Sequence, residues 1–161
     1  MSVNDLSARL WRERELLEDV LFKLETQQLL LSSGRTRWLP AATRELEEAT
    51  QRVRTEELGR AVASSGAARA WGLDDEATLT ELIAAAPSEA WREVLQTHLQ
   101  ALTVLTGEIA ELRDANATLL RGASKAVHET LAGLDAANPT YTADGSADHD
   151  GGRARFIDTA I

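Results

Sequence analysis

Ten residues, Trp91, Leu95, His98, Leu102, Leu105, Ile109, Leu112, Asn116, Leu119 and Ala123, follow one another in alternating steps of four and three. A series of this kind holds one face along a helix for about four and a half heptads, and it restricts the chain to architectures in which helices pack on helices. Ser88 is placed to cap the start, and the pattern carries on to about Leu134. At 1.5 Å per residue such a helix is roughly 70 Å long, more than a compact domain of this mass accommodates. Val94, Leu99, Val104, Leu120, Val127 and Leu131 broaden its apolar surface, so more than one neighbour is expected.

The earlier part of the chain supplies the neighbours. From Asn4 to about Ser32, Leu6, Leu10, Leu17, Leu21, Leu24 and Leu31 mark one stripe of a first long helix, with Glu13 and Gln28 as polar members. Ser32, Ser33 and Gly34 end it, because glycine accepts a left-handed cap. A second helix is expected from a Thr36 cap, with Pro40 in its first turn and Leu39, Ala42, Leu46, Ala49 and Val53 along its buried side. It should run toward Ala63 and break at Ser64, Ser65 and Gly66. Residues 64–73 then read as a connector anchored by Trp71. A short helix with Leu79, Leu82 and Ile83 is expected next, capped by Asp74 and ended by Ala86 and Pro87. The fold expected is all-α: an elongated antiparallel helical hairpin or bundle of three long helices plus a short connecting helix, followed by a flexible C-terminal tail. The helical domain spans 1–134 and the tail 135–161.

Chemistry is sparse. The chain of 161 residues has no cysteine, which removes disulfides, thiol catalysis and thiolate metal sites. His98, His128 and His149 are scattered, and the Asp148, His149, Asp150 triplet sits in a glycine-rich stretch that offers a metal no fixed geometry. Neither a phosphate-cradling loop nor a nucleophile elbow is present. The reading is a protein that is not an enzyme and uses no cofactor and no metal. With 26 acidic against 17 basic side chains, a net charge of -9 disfavours nucleic acid as a partner. The charged N-terminus shows no secretory pattern and no apolar run is long enough to span a bilayer, so a cytoplasmic protein that is not membrane-embedded is expected.

Asn116 and His98 interrupt an otherwise apolar seam. Register control is the default reading for both. The alternative is that they border a groove in which an incoming helix needs hydrogen-bond matching.

The arrangement resembles the FlgN family of flagellar type III export chaperones. The likeness lies in a QxxLLxxG-like ending of the first helix, here Gln27, Leu30, Leu31 and Gly34 within QQLLLSSG, and in an NxxLL element on the long last helix, here Asn116, Leu119 and Leu120 within NATLL. It extends over about residues 5–141. The resemblance implies that the protein binds the C-terminal assembly helix of hook-filament junction subunits, the hook-associated proteins, and delivers them to the flagellar export machinery. It also implies a tyrosine beyond the long helix as a contact with that machinery, for which Tyr141, the only tyrosine, is the candidate. Leu102, Leu105, Ile109, Leu112, Asn116, Leu119 and Leu120 are the candidate partner-binding residues, since their wide apolar face suits a helix-in-groove complex. The competing reading is a dimeric coiled-coil tether or scaffold without chaperone activity.

Overall fold

The computed structural model describes the backbone of residues 3–137 and the side chains of residues 3–134. The described residues form four α-helices and one short 3-10 turn: α1 Val3–Ser32, the turn Thr36–Trp38, α2 Leu39–Ala70, α3 Leu79–Ala84 and α4 Glu89–Ala137. Three long helices and a short connecting helix are therefore present as expected, and no strand occurs among the described residues. The chain divides into two units, residues 1–120 and residues 121–161. Within the second, the described part is the end of α4.

In the first unit α1 has both other long helices against it. Its contacts with α2 run antiparallel: Arg9 pairs with Glu56, Asp19 with Arg52 and Lys23 with Glu45. Its contacts with α4 run in the same direction. Ser7 meets His98 and Gln27 meets Asn116, at nearly constant separations of 91 and 89 residues. The antiparallel hairpin is thus α1 with α2, and α4 returns alongside α1.

Two apolar clusters hold this arrangement. Leu6, Leu10, Ala63, Ala67, Ala68, Leu82 and Leu95 form one, with Trp71, Leu79 and Ile83 packed on it. Leu16, Leu17, Val20, Leu24, Ala49 and Val53 form the other, flanked by Leu46, Leu105, Ile109 and Leu112. Leu102 packs against both. The buried positions of α2 are mostly alanines, Ala42, Ala49, Ala63, Ala67 and Ala68. Small side chains let its axis approach the leucine-rich α1 closely, so little volume per residue suffices to exclude water.

Three local expectations are corrected. The break foreseen at Ser64, Ser65 and Gly66 does not occur, and α2 continues to Ala70. An interior glycine costs a helix about 0.5–1 kcal/mol, but Ala63, Ala67 and Ala68 on either side are at most 1% exposed, and packing against α1 and α3 outweighs that cost. Thr36 does not cap α2; it opens the 3-10 turn, and α2 begins one residue ahead of Pro40. Asp74 does not cap α3 either. Its carboxylate accepts from the Glu76 backbone N–H at 2.9 Å, while Thr78 and Glu81 form a reciprocal capping box around the helix start.

Other boundaries fall as expected. The Ser88 hydroxyl accepts from Trp91 N–H at 3.3 Å and starts α4, which ends three residues beyond the expected Leu134. Gly34 closes α1 at φ 69°, with Arg35 N–H bonded to Leu30 O and Gly34 N–H to Leu31 O. Gly72 closes α2 in the same way at φ 75°, with Leu73 N–H on Ala68 O and Gly72 N–H on Arg69 O. Both are Schellman caps, for which a left-handed residue is required.

A Cβ at Gly34 or Gly72 meets nothing within 4 Å, so the only penalty of an alanine there is the left-handed backbone. Gly34→Ala and Gly72→Ala are each expected to lower stability by about 1 kcal/mol, measured by urea unfolding. Unchanged midpoints would show that the caps are not held in this conformation in solution.

Candidate functional site

The candidate face is one side of α4, and its accessibility changes along its length. At the N-terminal end Leu95 is fully buried and His98 is 2% exposed. Leu102, Leu105, Ile109 and Leu112 are half-buried, each packed beside the second cluster. Asn116 is 2% exposed, whereas Leu119 and Leu120 are 39% and 38% exposed. The seven candidate residues therefore lie in sequence along one unit, with the most open pair at its end. In the second unit, Val127, Leu131 and Leu134 are all exposed on the last turns of α4. Tyr141 and the expected flexible tail lie outside the described residues, apart from residues 135–137, which are helical.

His98 is a buried hydrogen-bonding group with little to bond. Its Nε2 lies 3.3 Å from Ser7 Oγ, its ring meets Trp11 edge-on at 5.3 Å, and Nδ1 is enclosed without a partner. Burial, reinforced by the Arg14 cation, holds the imidazole below its ordinary pKa of 6.5. Arg14 itself sits 4.5 Å above the Trp11 ring. The arrangement keeps His98 neutral and gives it a packing role.

Asn116 is different, because its amide is tied down. Nδ2 donates to Leu24 O at 2.9 Å and to Gln27 Oε1 at 3.1 Å. Gln27 Nε2 in turn donates to Thr43 Oγ1 at 3.1 Å. One side chain from each long helix is thereby joined in a single relay, leaving Asn116 Oδ1 as a buried acceptor without a protein partner. The pairing of Asn116 Nδ2 with Leu24 O and Gln27 Oε1 selects one axial offset between α1 and α4, since a shift by one turn would leave Asn116 Nδ2 and Gln27 Oε1 without each other.

The buried row of α1 also differs from its expected course. Val20 and Gln27 are both 5% exposed, while Leu21 and Gln28 are only half-buried. The row is Leu6, Leu10, Glu13, Leu17, Val20, Leu24, Gln27 and Leu31, which alternates in steps of four and three throughout. That regularity was present in the chain, and Gln27 could have been found by it, whereas its partner Thr43 lies on α2. Glu13 in the same row is 5% exposed and ion-paired with Arg60 at 2.5 Å. Burial nonetheless pushes its carboxyl up against the pull of Arg60, with Glu57 and Glu56 adding to the rise.

Among the described residues, no group of three or more His, Asp or Glu could hold a metal ion, and no helix is long and apolar enough to cross a membrane. The site offers area and hydrogen-bond matching, with no reactive group. Compared with known proteins, the model of the FlgN family, described as FlgN protein, matches residues 1–149. No curated protein and no solved structure matches the chain. The two short motifs that carried the family resemblance meet in space: Gln27 of QQLLLSSG is the residue to which Asn116 of NATLL is bonded.

Replacing Asn116 by alanine removes two donors and leaves Gln27 Oε1 buried and unpaired, so Asn116→Ala is expected to cost about 1–3 kcal/mol. In a double-mutant cycle with Gln27→Ala the two losses should be non-additive by roughly 0.5 kcal/mol or more. A rise in the urea midpoint of Asn116→Ala would show that the relay does not stabilise the bundle.

A depressed histidine pKa contributes stability above the unfolded value of 6.5 that is lost as pH falls through the folded value. The difference in melting temperature between wild type and His98→Leu should therefore be most favourable to wild type above pH 6.5 and shrink on acidification. A difference independent of pH would mean that the imidazole is not held neutral by the fold.

Proposed function

The chain belongs to the FlgN family of flagellar export chaperones, and on that premise we propose that it captures the C-terminal assembly helix of hook-associated subunits on α4. The family's members are non-catalytic, so this chain is not an enzyme. Its role in the flagellum is that of an export chaperone in the general sense. The finer reading adds the ligand, the surface and the place: junction subunits held soluble in the cytoplasm, on the face formed by Leu102, Leu105, Ile109, Leu112, Asn116, Leu119 and Leu120, and handed to the export machinery through Tyr141.

The observation that carries this reading is the gradient of burial along α4. The heptad row that is sealed at Leu95 remains half-open from Leu102 to Leu112 and opens further at Leu119 and Leu120. A subunit's assembly helix presents an apolar stripe that associates prematurely in water. Laying it along this row covers both stripes at once. About 600 Å² of apolar area so buried is favourable by roughly 15 kcal/mol before association and ordering costs, which remove most of it. Net binding is then moderate and reversible, as a carrier requires. Asn116 shapes the floor of this face by fixing where α4 lies on α1.

Leu119 and Leu120 are exposed enough to be changed without opening the core. Leu119→Asp with Leu120→Asp is expected to weaken capture of a full-length junction subunit by about tenfold or more, with helicity unchanged in circular dichroism. Pull-downs with full-length and C-terminally truncated junction proteins test the mode, since binding should vanish with the truncation. Binding that survives both changes, or a tight homodimer in solution that ignores the subunits, would leave the coiled-coil tether as the better reading.

A further inference from the structure

The basic side chains of this acidic chain are unevenly matched. Nine of them are in ion pairs: Arg9, Arg12, Lys23, Arg52, Arg60, Arg69, Arg92, Arg113 and Lys125. Arg14, Arg35, Arg37, Arg44 and Arg54 are in none of these pairs, and of these Arg35 and Arg37 stand together in the turn joining α1 to α2. Arg44 only approaches Glu45 closely enough to help lower its carboxyl. Arg37 lies 4.7 Å over the Trp38 ring, and that ring is 53% exposed. In a molecule of charge -9 this leaves a small cationic patch, Arg35 and Arg37, around an open indole, in a hollow lined by Gly34, Arg35, Thr36, Arg37 and Trp38.

Beside the patch is a cleft of about 160 Å³ between α1 and α2. Leu30, Trp38, Ala41 and Ala42 give it apolar walls, and Lys23 and Glu45 bridge its rim at 2.8 Å. Thr26 lines the cleft. Phe22 and Leu29, one helical turn to either side of Thr26 on the same face of α1, are 59% and 71% exposed. An apolar cleft with room for one large side chain shares its Trp38 wall with the hollow that holds Arg35 and Arg37, and guanidinium groups bind carboxylates through paired hydrogen bonds, so the pair has a defined complement.

We propose that the α1–α2 turn is a docking surface for an acidic peptide segment of a protein partner. One aliphatic or aromatic side chain of the segment enters the cleft beside Trp38, and its flanking carboxylates meet Arg35 and Arg37. Concavity and charge both favour a peptide over an anionic membrane. A flat sheet of headgroups cannot fill the cleft, and it meets the repulsion of the whole acidic molecule. A short peptide's carboxylates are attracted by Arg35 and Arg37 beside them and are screened from charges beyond about 8 Å at physiological salt. This surface is separate from the α4 face, so its test stands apart from that of subunit capture.

The test is selection of a displayed library of random dodecapeptides on the full-length chain, counter-selected on the exposed-surface variant Arg35→Glu, Arg37→Glu, Trp38→Ala. Enriched peptides should carry Asp or Glu around a Leu, Ile or Phe. The best of them, labelled and followed by anisotropy, should lose about tenfold or more in affinity to Arg35→Glu with Arg37→Glu and several-fold to Trp38→Ala. Arg54→Glu, which changes an arginine on α2 away from the turn, should match wild type, and Arg35→Lys with Arg37→Lys should restore much of the binding. Binding should weaken steeply with salt. The proposal is overturned if no acidic consensus emerges, if Arg54→Glu weakens the peptide as much as the turn variants, or if the chain sediments with phosphatidylglycerol vesicles and the turn variants abolish that binding instead.

Discussion

The structure depends on a hydrogen-bonded row of three polar side chains, Asn116, Gln27 and Thr43, one on each long helix. Leucine rows alone do not choose between neighbouring axial offsets, because a shift by one heptad returns leucine to leucine at little cost. Displacing α4 along α1 by such a step would leave buried amides without partners, each costing about 1–3 kcal/mol. The relay therefore converts a generic helical contact into a single arrangement. The depth of Leu105, Ile109 and Leu112 beneath the surface, and hence how much of each remains open, follows from that arrangement.

Much of this was legible in the chain and some was not, for identifiable reasons. The α4 row was readable from Trp91 to Ala123 because no residue breaks its rhythm, and Ser88 and Gly34 act through local backbone chemistry that needs no tertiary context. The end of α2 was misplaced because Ser64, Ser65 and Gly66 are poor helix formers, whereas Ala63, Ala67 and Ala68 gain their importance only from what packs on them. Asp74 and Thr78 are both competent caps, and the choice between them rests on Glu81, which answers Thr78 from three residues on. The α1 row passes through Val20 and Gln27 in place of Leu21 and Gln28, a one-residue difference that hydrophobicity alone decides wrongly. For the site, membership of the face could be read from periodicity. The division of that face into sealed, half-open and open segments could not, because it depends on where α1 and its core neighbours end beneath it.

The charges tell a similar story of local compensation. Across α1 and α2 the pairs Arg9–Glu56, Asp19–Arg52 and Lys23–Glu45 are solvent-accessible and contribute little each, but together they leave the hairpin flanks without local excess charge. Glu13 with Arg60 is the exception in burial. A carboxyl whose acidity is weakened by its surroundings is a net cost that the packing around it offsets. Against this background of pairing, Arg35 and Arg37 in the turn between α1 and α2 stand outside the ion pairs described above.

A carrier of an assembly helix faces two opposed requirements. Area left fully open binds the client strongly but also binds other copies of the carrier; area fully sealed does neither. Half-burial of Leu102, Leu105, Ile109 and Leu112 is intermediate between these limits. Each of these side chains already packs against the second cluster, so a docking helix would land on a surface that is partly ordered beforehand, which lowers the entropic cost of association. On the proposed reading, Leu119 and Leu120, at 39% and 38% exposed, would give the client a first foothold beyond the polar relay. Extension from that foothold toward Leu102 would add contact in small, reversible increments, which is the form of affinity that suits a protein whose client must later be released.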